Sequence, residues 1–189
     1  KKLVEGDVYN DHRTLEEYSH DASLFVVEPQ VVVFPKNVRD LTKLIKYVIS
    51  HKKEHPELSL TARAAGTDMS GGPLSSSILI GFKKYFNNII KVRRNEATAE
   101  PGVFYRDFER ETLRYSAIMP SYPASREICA LGGIVSNNSG GEKSLAYGKT
   151  ENYVRELTVV LADGNAYKFK KLTHKEFEDK LKQKDFEGE

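Results

Sequence analysis

The sequence predicts an α+β fold in which a small crossover lobe precedes a larger lobe of mixed strands. The first observation is a strand, helix, strand order between residues 31 and 61, which is typical of a parallel crossover unit. The second is an Asp163-Gly164 pair between two apolar runs, which predicts a β-hairpin. We place the first lobe within residues 1–82, the second within 83–172, and the start of a further helix within 173–189.

The crossover unit begins with a buried strand at 31–34 (VVVF), where β-branched and aromatic residues form a fully apolar run. Asn37 can cap the helix that follows, and Asp40 lies in its first turn. The apolar residues of this helix recur at helical spacing on one face: Leu41, Leu44, Ile45, Val48 and Ile49. Residues 58–61 (LSLT) predict the second strand.

A loop of small residues begins where that second strand ends, and residues 62–72 read ARAAGTDMSGG. Ligands of open α/β units collect beyond the carboxyl ends of parallel strands. Gly66, Gly71 and Gly72 permit positive φ and let main-chain N–H groups approach an oxyanion without a Cβ in the way. Such a loop could hold a diphosphate without a lysine, and the alternative is an ordinary glycine-rich turn.

Later segments complete the predicted fold. Residues 77–80 and 97–100 predict short strands, and a helix begins after Gly102. We interpret the residues on one face of this helix as core: Phe104, Tyr105, Phe108 and Thr112. Thr173 and Glu176 form a capping box, which predicts the start of a helix.

Composition and motif tests exclude several kinds of partner. With 29 Lys and Arg against 27 Asp and Glu, the charge of +2 does not predict nucleic-acid binding. GxGxxG is absent, and Gly148-Lys149-Thr150 lacks the first glycine of an ATPase phosphate loop, because Lys143 stands there. Five scattered histidines and one cysteine do not predict a metal site.

The chain has no long uncharged apolar run, and its single cysteine cannot form an internal disulfide. These features favour a cytoplasmic setting. Lys83, Lys84, Arg93 and Arg94 could touch an anionic partner or the inner face of an anionic membrane, and the alternative is a solvated basic face.

A second segment rich in small residues, 120–141, reads PSYPASREICALGGIVSNNSGG. Together with 62–72 it could close on one extended ligand from two sides. Asn137 and Asn138 can donate and accept hydrogen bonds, which suits ribityl or ribose hydroxyls. The alternative is an asparagine and glycine turn that binds nothing.

Four motifs in order are similar to those of a known family: ARAAGTDMSGG, EPGVFYRDFE at 100–109, the 120–141 segment, and YGKTENYV at 147–154. From about Tyr18 to Gly164 the chain resembles the PCMH-type, or vanillyl-alcohol oxidase type, FAD-binding domain of FAD-linked oxidases. The resemblance is to the glycolate oxidase and D-lactate dehydrogenase group in particular. It implies two α/β lobes with FAD between them.

The resemblance also implies the cofactor-binding residues. The first loop would wrap the FAD pyrophosphate through Arg63, Ala64, Ala65, Gly66, Thr67 and Asp68, with Ser70 and Gly71 closing the cradle. The second would follow the ribityl chain and isoalloxazine through Pro120, Ser125, Cys129, Ala130, Gly132, Gly133, Asn138 and Gly141. Tyr147, Gly148 and Val154 would lie toward the adenosine end.

Three departures from the family pattern carry expectations. Ala64 and Ala65 replace glycines, so positive φ at either would cost about 1 kcal/mol or more. Thr67 stands where relatives with covalent flavin place a histidine, which implies non-covalent FAD. Cys129 and Ala130 replace hydroxyl residues, which puts one flavin hydrogen bond in doubt, and Cys129 is interpreted as a packed residue rather than a redox thiol.

Relatives continue beyond the last helix into a cap domain or subunit that supplies the substrate pocket and catalytic residues. We therefore expect a C-terminally truncated domain with unknown catalytic residues and a separate electron acceptor. The resemblance implies an FAD-dependent enzyme that oxidises a 2-hydroxy acid, such as D-lactate or glycolate, by hydride transfer to flavin. Alternatives are an NADPH-dependent flavoenzyme like UDP-N-acetylenolpyruvoylglucosamine reductase, and a non-catalytic module that binds a nucleotide or a protein.

Overall fold

A computed structural model describes residues 3–184 and residue 186. The elements in chain order are β1 (Asp7–Tyr9), α1 (His12–Tyr18), β2 (Val31–Phe34), α2 (Val38–His51), β3 (Leu60–Arg63), β4 (Ile78–Gly81), β5 (Ile89–Arg93), β6 (Glu96–Ala99), α3 (Tyr105–Leu113), α4 (Leu131–Ser136), α5 (Ser144–Tyr147), a 3₁₀ turn (Thr150–Tyr153), β7 (Glu156–Val160), β8 (Ala166–Lys170) and α6 (His174–Leu181).

The first sheet has four strands in the order β1-β2-β4-β3. Strands β2 and β3 both run parallel to β4, which lies between them, while β1 is antiparallel to β2. The predicted crossover unit is therefore confirmed, with α2 connecting two strands that share β4 as neighbour. The second strand begins at Leu60 rather than Leu58 and ends at Arg63, so the glycine loop starts at the carboxyl end of β3.

Helix α2 begins as predicted, because the Asn37 side chain accepts a hydrogen bond from the Asp40 N–H. The Asp40 side chain is fully buried and accepts backbone N–H bonds from Glu5 (2.9 Å), Gly6 (2.9 Å) and Lys36 (3.0 Å). Burial opposes its ionisation, but these three donors outweigh burial and hold the pKa of Asp40 below its ordinary value. Asp40 thus ties the N-terminal segment to the start of α2.

Both faces of the first sheet are covered. On one face Leu44 of α2 packs against Val33 and Ile78, and Leu41 packs against Ile80. On the other face the core consists of Tyr18, Val32, Phe34 and Leu79. This two-sided burial explains the uniformly apolar β2 and β4 sequences.

The second half contains the antiparallel pair β5-β6 and a separate core beneath α3. Residues 97–100 were predicted as a strand and form β6, one residue earlier, but its partner β5 was not predicted. Tyr105, Phe108 and Thr112 of α3 are buried as expected, while Phe104 precedes the helix and is half-buried.

The C-terminal part follows the sequence closely. Strands β7 and β8 form the predicted hairpin, and Gly164 takes φ +76° in its turn. Helix α6 has the predicted capping box between Thr173 and Glu176. Within residues 3–184, no helix is long and apolar enough to cross a membrane. The same residues hold no group of three metal-ligating side chains.

Candidate functional site

The loop after β3, residues 64–72, occupies the end of the sheet where three parallel strands finish. Gly66 adopts φ +72° and Gly71 adopts φ +82°. Neither Ala64 nor Ala65 is among the described non-glycine residues with positive φ. The strain expected for the alanines therefore does not arise, because glycines take both left-handed positions.

The first half of this loop presents free main-chain donors. Among the described residues, no group accepts a hydrogen bond from the N–H of Ala65, Gly66 or Thr67. A left-handed glycine between residues of negative φ is the arrangement that forms an anion-binding nest of N–H groups. These three residues are half-buried, so part of the loop remains open to solvent.

Arg63 lies directly beneath the free donors. It is only 9% exposed, its guanidinium sits 5.0 Å from the centre of the Tyr18 ring, and its Nη1 donates to the Tyr18 carbonyl oxygen at 3.2 Å. A Cβ built on Gly66 would meet Arg63 Nη2 at 2.5 Å, so the guanidinium contacts the underside of the loop. The cation thus adds charge to the nest without occupying it.

No ion pair joins Arg63 to any carboxylate in the described part of the chain. Burial lowers the pKa of Arg63, and more distant Asp21 and Glu17 oppose that shift. A buried cation without a counter-ion is costly, and an anion bound on the loop would remove much of that cost. Asp21 is itself unusual, since its Oδ2 is the one buried side-chain oxygen or nitrogen of the described residues without a hydrogen-bond partner.

The second half of the loop is closed on itself. Asp68 Oδ2 accepts hydrogen bonds from Ser70 Oγ (2.7 Å), the Gly72 N–H (2.8 Å) and the Ser70 N–H (3.3 Å). The hydrogen bond from Ser70 is the main reason that the pKa of Asp68 lies below its usual value. The resemblance implied that Ser70 closes a phosphate cradle, and in this structure both of its donors are bonded to Asp68.

A neighbouring segment after α1 packs on this loop. The Ala22 N–H donates to the Asp68 carbonyl oxygen at 3.1 Å. The Phe25 ring lies against Gly71, where an added Cβ would come within 2.9 Å of it. Phe25 and Met69 are nonetheless largely exposed, which leaves apolar surface beside the nest.

The glycines of the second segment, 120–141, have different surroundings. A Cβ on Gly132 would meet the Pro101 Cβ at 2.7 Å, so this glycine permits close packing of α4 on the turn before α3. A Cβ on Gly141 would lie 2.2 Å from the Tyr122 carbonyl oxygen. Gly133 is exposed, and apart from its chain neighbours and the α4 backbone no atom of the described residues lies within 4 Å of the position that its Cβ would take.

Three more predicted flavin-lining residues are buried: Pro120, Cys129 and Ala130. The Cys129 side chain packs in the core against residues such as Tyr105 and Ile134, and burial raises the pKa of its thiol. The interpretation of Cys129 as a packed residue agrees with this position. Its side chain faces the core, and its main-chain N–H and carbonyl oxygen are bonded to the Ser125 carbonyl oxygen and the Tyr105 N–H. Ser125 is half-buried, and its carbonyl oxygen accepts from the Cys129 N–H at 2.9 Å.

Asn138 has a structural role at the end of this segment. It adopts φ +45°, and its Oδ1 accepts from the Glu151 N–H at 2.9 Å. Beside it, fully buried Thr150 donates through Oγ1 to the Ser139 carbonyl oxygen at 2.7 Å. The Asn138 oxygen predicted to meet ligand hydroxyls therefore already has a backbone partner.

The residues predicted for the adenosine end surround α5 and the 3₁₀ turn. Tyr147 is exposed, and its carbonyl oxygen accepts from the Tyr153 hydroxyl at 2.7 Å. Gly148 takes φ +78°, and Val154 is half-buried. Across the described residues, no hydrogen bond joins loop 64–72 to segment 120–141.

Comparison with known proteins decides the family. The family described as FAD binding domain matches residues 29–170, which include β2 through β8 and both glycine-rich segments. The chain belongs to this FAD-binding domain family. FAD is therefore the cofactor, and the predicted resemblance to FAD-linked oxidases is confirmed.

Relatives of this FAD-binding domain include one bacterial and one archaeal protein. The glycolate oxidase subunit GlcD of Bacillus subtilis is 31% identical over 78% of this chain and 31% of the relative. The D-lactate dehydrogenase of Archaeoglobus fulgidus is 29% identical over 86% of this chain and 36% of the relative. The chain thus spans about a third of the length of these relatives.

A solved structure shows the same fold. The crystal structure of 6-hydroxy-D-nicotine oxidase from Arthrobacter nicotinovorans superposes with a TM-score of 0.74 at 17% identity, covering 88% of this chain and 36% of that one. The predicted PCMH-type α+β fold of the FAD-binding domain is thereby confirmed.

The hydrogen-bond donors and the charge of the first loop suit a diphosphate. The loop offers three N–H groups and, beneath them, a buried cation, all without an acceptor or counter-ion in the described part of the chain, and such groups bind phosphate oxygens. The sequence did not reveal that Arg63 stacks on Tyr18, since 45 residues separate the two along the chain. The arginine beside the glycine loop was a visible signal, but its burial was not.

Proposed function

We propose that this chain is the FAD-binding part of an FAD-dependent oxidoreductase that oxidises a 2-hydroxy acid. The observation that supports the FAD site best is the buried, unpaired Arg63 under the free N–H groups of Ala65, Gly66 and Thr67. The relatives named for glycolate and D-lactate support the substrate class. Substrate pocket and catalytic residues would lie in the remaining length that these relatives have.

In this proposal the first loop binds the FAD pyrophosphate, with N–H donors in front and the Arg63 charge behind. The cofactor is held without a covalent link, because Thr67 offers no nucleophilic ring nitrogen at the position where relatives carry a histidine. The bound flavin would supply hydride acceptance, and a separate acceptor would remove the electrons. Gly133, open and exposed on α4, is the best-placed glycine of the second segment to border the cofactor.

The residues of the chain itself position and shield rather than transfer protons. Tyr18 holds Arg63 by stacking and through its carbonyl oxygen, which fixes the cation under the loop. We assign residues 1–82 and 83–172 to two lobes that contact the cofactor from two sides. Tyr147, Gly148 and Val154 would lie at the adenosine end.

A peripheral membrane contact receives little support from the basic residues. Lys84 pairs with Asp7 at 2.7 Å, and Arg93 pairs with Glu96 at 3.3 Å, so two of the four predicted cations already have partners. The solvated basic face is the better interpretation.

The FAD site is tested by titrating the flavin-free full-length protein with FAD and exchanging Arg63→Met. Met replaces the buried cation with an apolar side chain, so the flavin-free protein should keep its stability while FAD affinity falls at least tenfold. Arg94→Met is the matched control, because it removes the same charge from an exposed residue. Equal FAD affinity of folded Arg63→Met and the parent protein would refute the site.

The reaction class is tested by mixing the full-length holoprotein anaerobically with D-lactate, glycolate, D-2-hydroxyglutarate and their L-enantiomers where they exist. We expect glycolate or one of the D-hydroxy acids to bleach the visible flavin absorbance within seconds of mixing. Bleaching by NADPH alone would favour the reductase-type alternative. Reduction by none of them, with FAD bound, would overturn the hydroxy-acid assignment.

A further inference from the structure

We propose that Asp68 acts as an internal anion of the first loop, occupying the donors of its second half so that those of its first half stay open for FAD. The proposal rests on the FAD site proposed above and names a residue that positions the loop. The resemblance implied only that Asp68 lies along the FAD pyrophosphate, whereas the structure shows its carboxylate accepting every hydrogen bond that closes residues 68–72.

The loop contains two sets of donors with different partners. The donors of Ser70 and Gly72 all converge on one oxygen, Asp68 Oδ2, at 2.7 to 3.3 Å. The N–H groups of Ala65, Gly66 and Thr67 have no acceptor among the described residues. A carboxylate that accepts several N–H bonds is the side-chain equivalent of a bound oxyanion, so the second set is already satisfied.

The main chain of Asp68 is also held in place by a hydrogen bond. Its carbonyl oxygen accepts from the Ala22 N–H at 3.1 Å, which anchors the residue to the segment after α1. The lowered pKa of Asp68 shows that the loop stabilises the charged carboxylate, with Ser70 as the largest contributor. The residue therefore stays ionised, and the turn stays closed, throughout the neutral pH range.

This closed turn determines where the open donors lie. Gly66 and Gly71 are both left-handed, and such residues permit several backbone conformations in a flexible loop. With Asp68 in place, three hydrogen bonds hold residues 68–72 in a closed turn before FAD binds. Preorganisation of this kind improves binding by reducing the ordering cost at the moment of association.

The test compares Asp68→Ala, Asp68→Asn and Asp163→Ala in the flavin-free full-length protein. Asp163→Ala is the matched control, because Asp163 accepts from the Asn165 N–H at 2.9 Å in a hairpin turn outside the site. We expect Asp68→Ala to lower FAD affinity at least tenfold, mainly through a slower association rate. Asp68→Asn, whose amide oxygen can take the place of Oδ2, should recover most of that loss, and Asp163→Ala should leave FAD binding unchanged.

A double-mutant cycle with Ser70→Ala separates the two roles that Ser70 could have. If Ser70 acts through Asp68, Ser70→Ala lowers FAD affinity about threefold in the parent protein and has no further effect beside Asp68→Ala. Additive losses would mean that Ser70 contacts the cofactor directly, and they would overturn the proposal.

Two failures can be told apart. A parent protein that binds no FAD would refute the proposed function itself. A parent protein that binds FAD, with the same affinity and association rate in Asp68→Ala, would refute only the role of Asp68. Should Asp68→Ala not fold, Asp68→Leu takes its place in the same cycle, because leucine keeps the side-chain volume and removes the acceptor of the Ser70 donors.

Discussion

Loop 64–72 and segment 120–141 have similar compositions but use their glycines for different physical reasons. In the first, Gly66 and Gly71 are left-handed and leave main-chain donors open. In the second, Gly132 and Gly141 have ordinary φ values and lie where another backbone or ring comes too close for a Cβ. The left-handed residue of the second segment is Asn138, which uses its side chain to bond Glu151.

The difference teaches that a run of small residues does not by itself indicate a ligand-binding loop. Glycines of the first loop serve conformation and access, whereas most glycines of the second serve packing within the protein. Gly133 is the exception, because no described residue outside α4 packs against the position that its Cβ would take. Substitutions in the first loop should therefore affect FAD more than stability, and most substitutions in the second should do the reverse.

The largest effect is expected for Gly141→Ala. Its Cβ would lie 2.2 Å from the Tyr122 carbonyl oxygen, and a backbone group cannot move aside as a side chain can. We expect a loss of about 3 kcal/mol in the free energy of unfolding, typical of severe overpacking. Urea unfolding measures it, with Gly133→Ala as control, which should gain about 0.5 to 1 kcal/mol as an open helical position.

Asn138→Ala should have an intermediate effect. It places a non-glycine without a local hydrogen bond at φ +45° and removes the acceptor of the Glu151 N–H, so we expect a loss of about 2 kcal/mol. Asn138→Gly keeps the conformation accessible and should lose about half as much. Equal unfolding free energies for the two variants would show that backbone conformation is not what Asn138 provides.

Gly66→Ala should have the smallest effect on stability and a larger one on the cofactor. Positive φ at an alanine costs about 1 kcal/mol, and the new Cβ would shift the Arg63 guanidinium from its place against Tyr18. Because that shift moves the cation under the nest, FAD affinity should fall by more than the strain alone explains. Gly164→Ala, also left-handed at φ +76° but in the β7-β8 turn, should match the stability loss and bind FAD normally. Equal losses of FAD affinity in both variants would show that displacement of Arg63 is not what weakens FAD binding in Gly66→Ala.

The elements that were predicted correctly carry a cap, an apolar run or a turn pair within their own sequence. The apolar run of β2, the cap and periodicity of α2, the Asp-Gly hairpin and the Thr173 capping box all appear within one or two residues of their predicted places. Strands β1 and β5 were missed, because β1 has three residues and β5 reads IIKVR, with two charged residues of five and a charged turn after it. Their existence depends on partners found only after folding.

The candidate site shows the same division. The glycine loop was found from its composition and position after a strand, and the Asp-x-Ser pattern could have indicated that Asp68 bonds its own turn. The burial of Arg63 and its stacking on Tyr18 could not be read locally, since both follow from how α1 packs on the sheet. The side-chain direction of Cys129, into the core, likewise depends on the tertiary contacts of α3 and α4.

Hydrogen exchange at the Gly6 amide can report the opening of the first lobe, because that amide donates to the buried Asp40 carboxylate at the start of α2. The Gly6 N–H donates to Asp40 Oδ2 at 2.9 Å. The Gly6 α-carbon lies so near the Phe34 carbonyl oxygen that an added Cβ would come within 2.0 Å of that oxygen. Water can reach that amide only when the N-terminal segment separates from β2 and α2 together. Its hydrogen-exchange rate therefore reports the opening of a cooperative unit rather than local fraying.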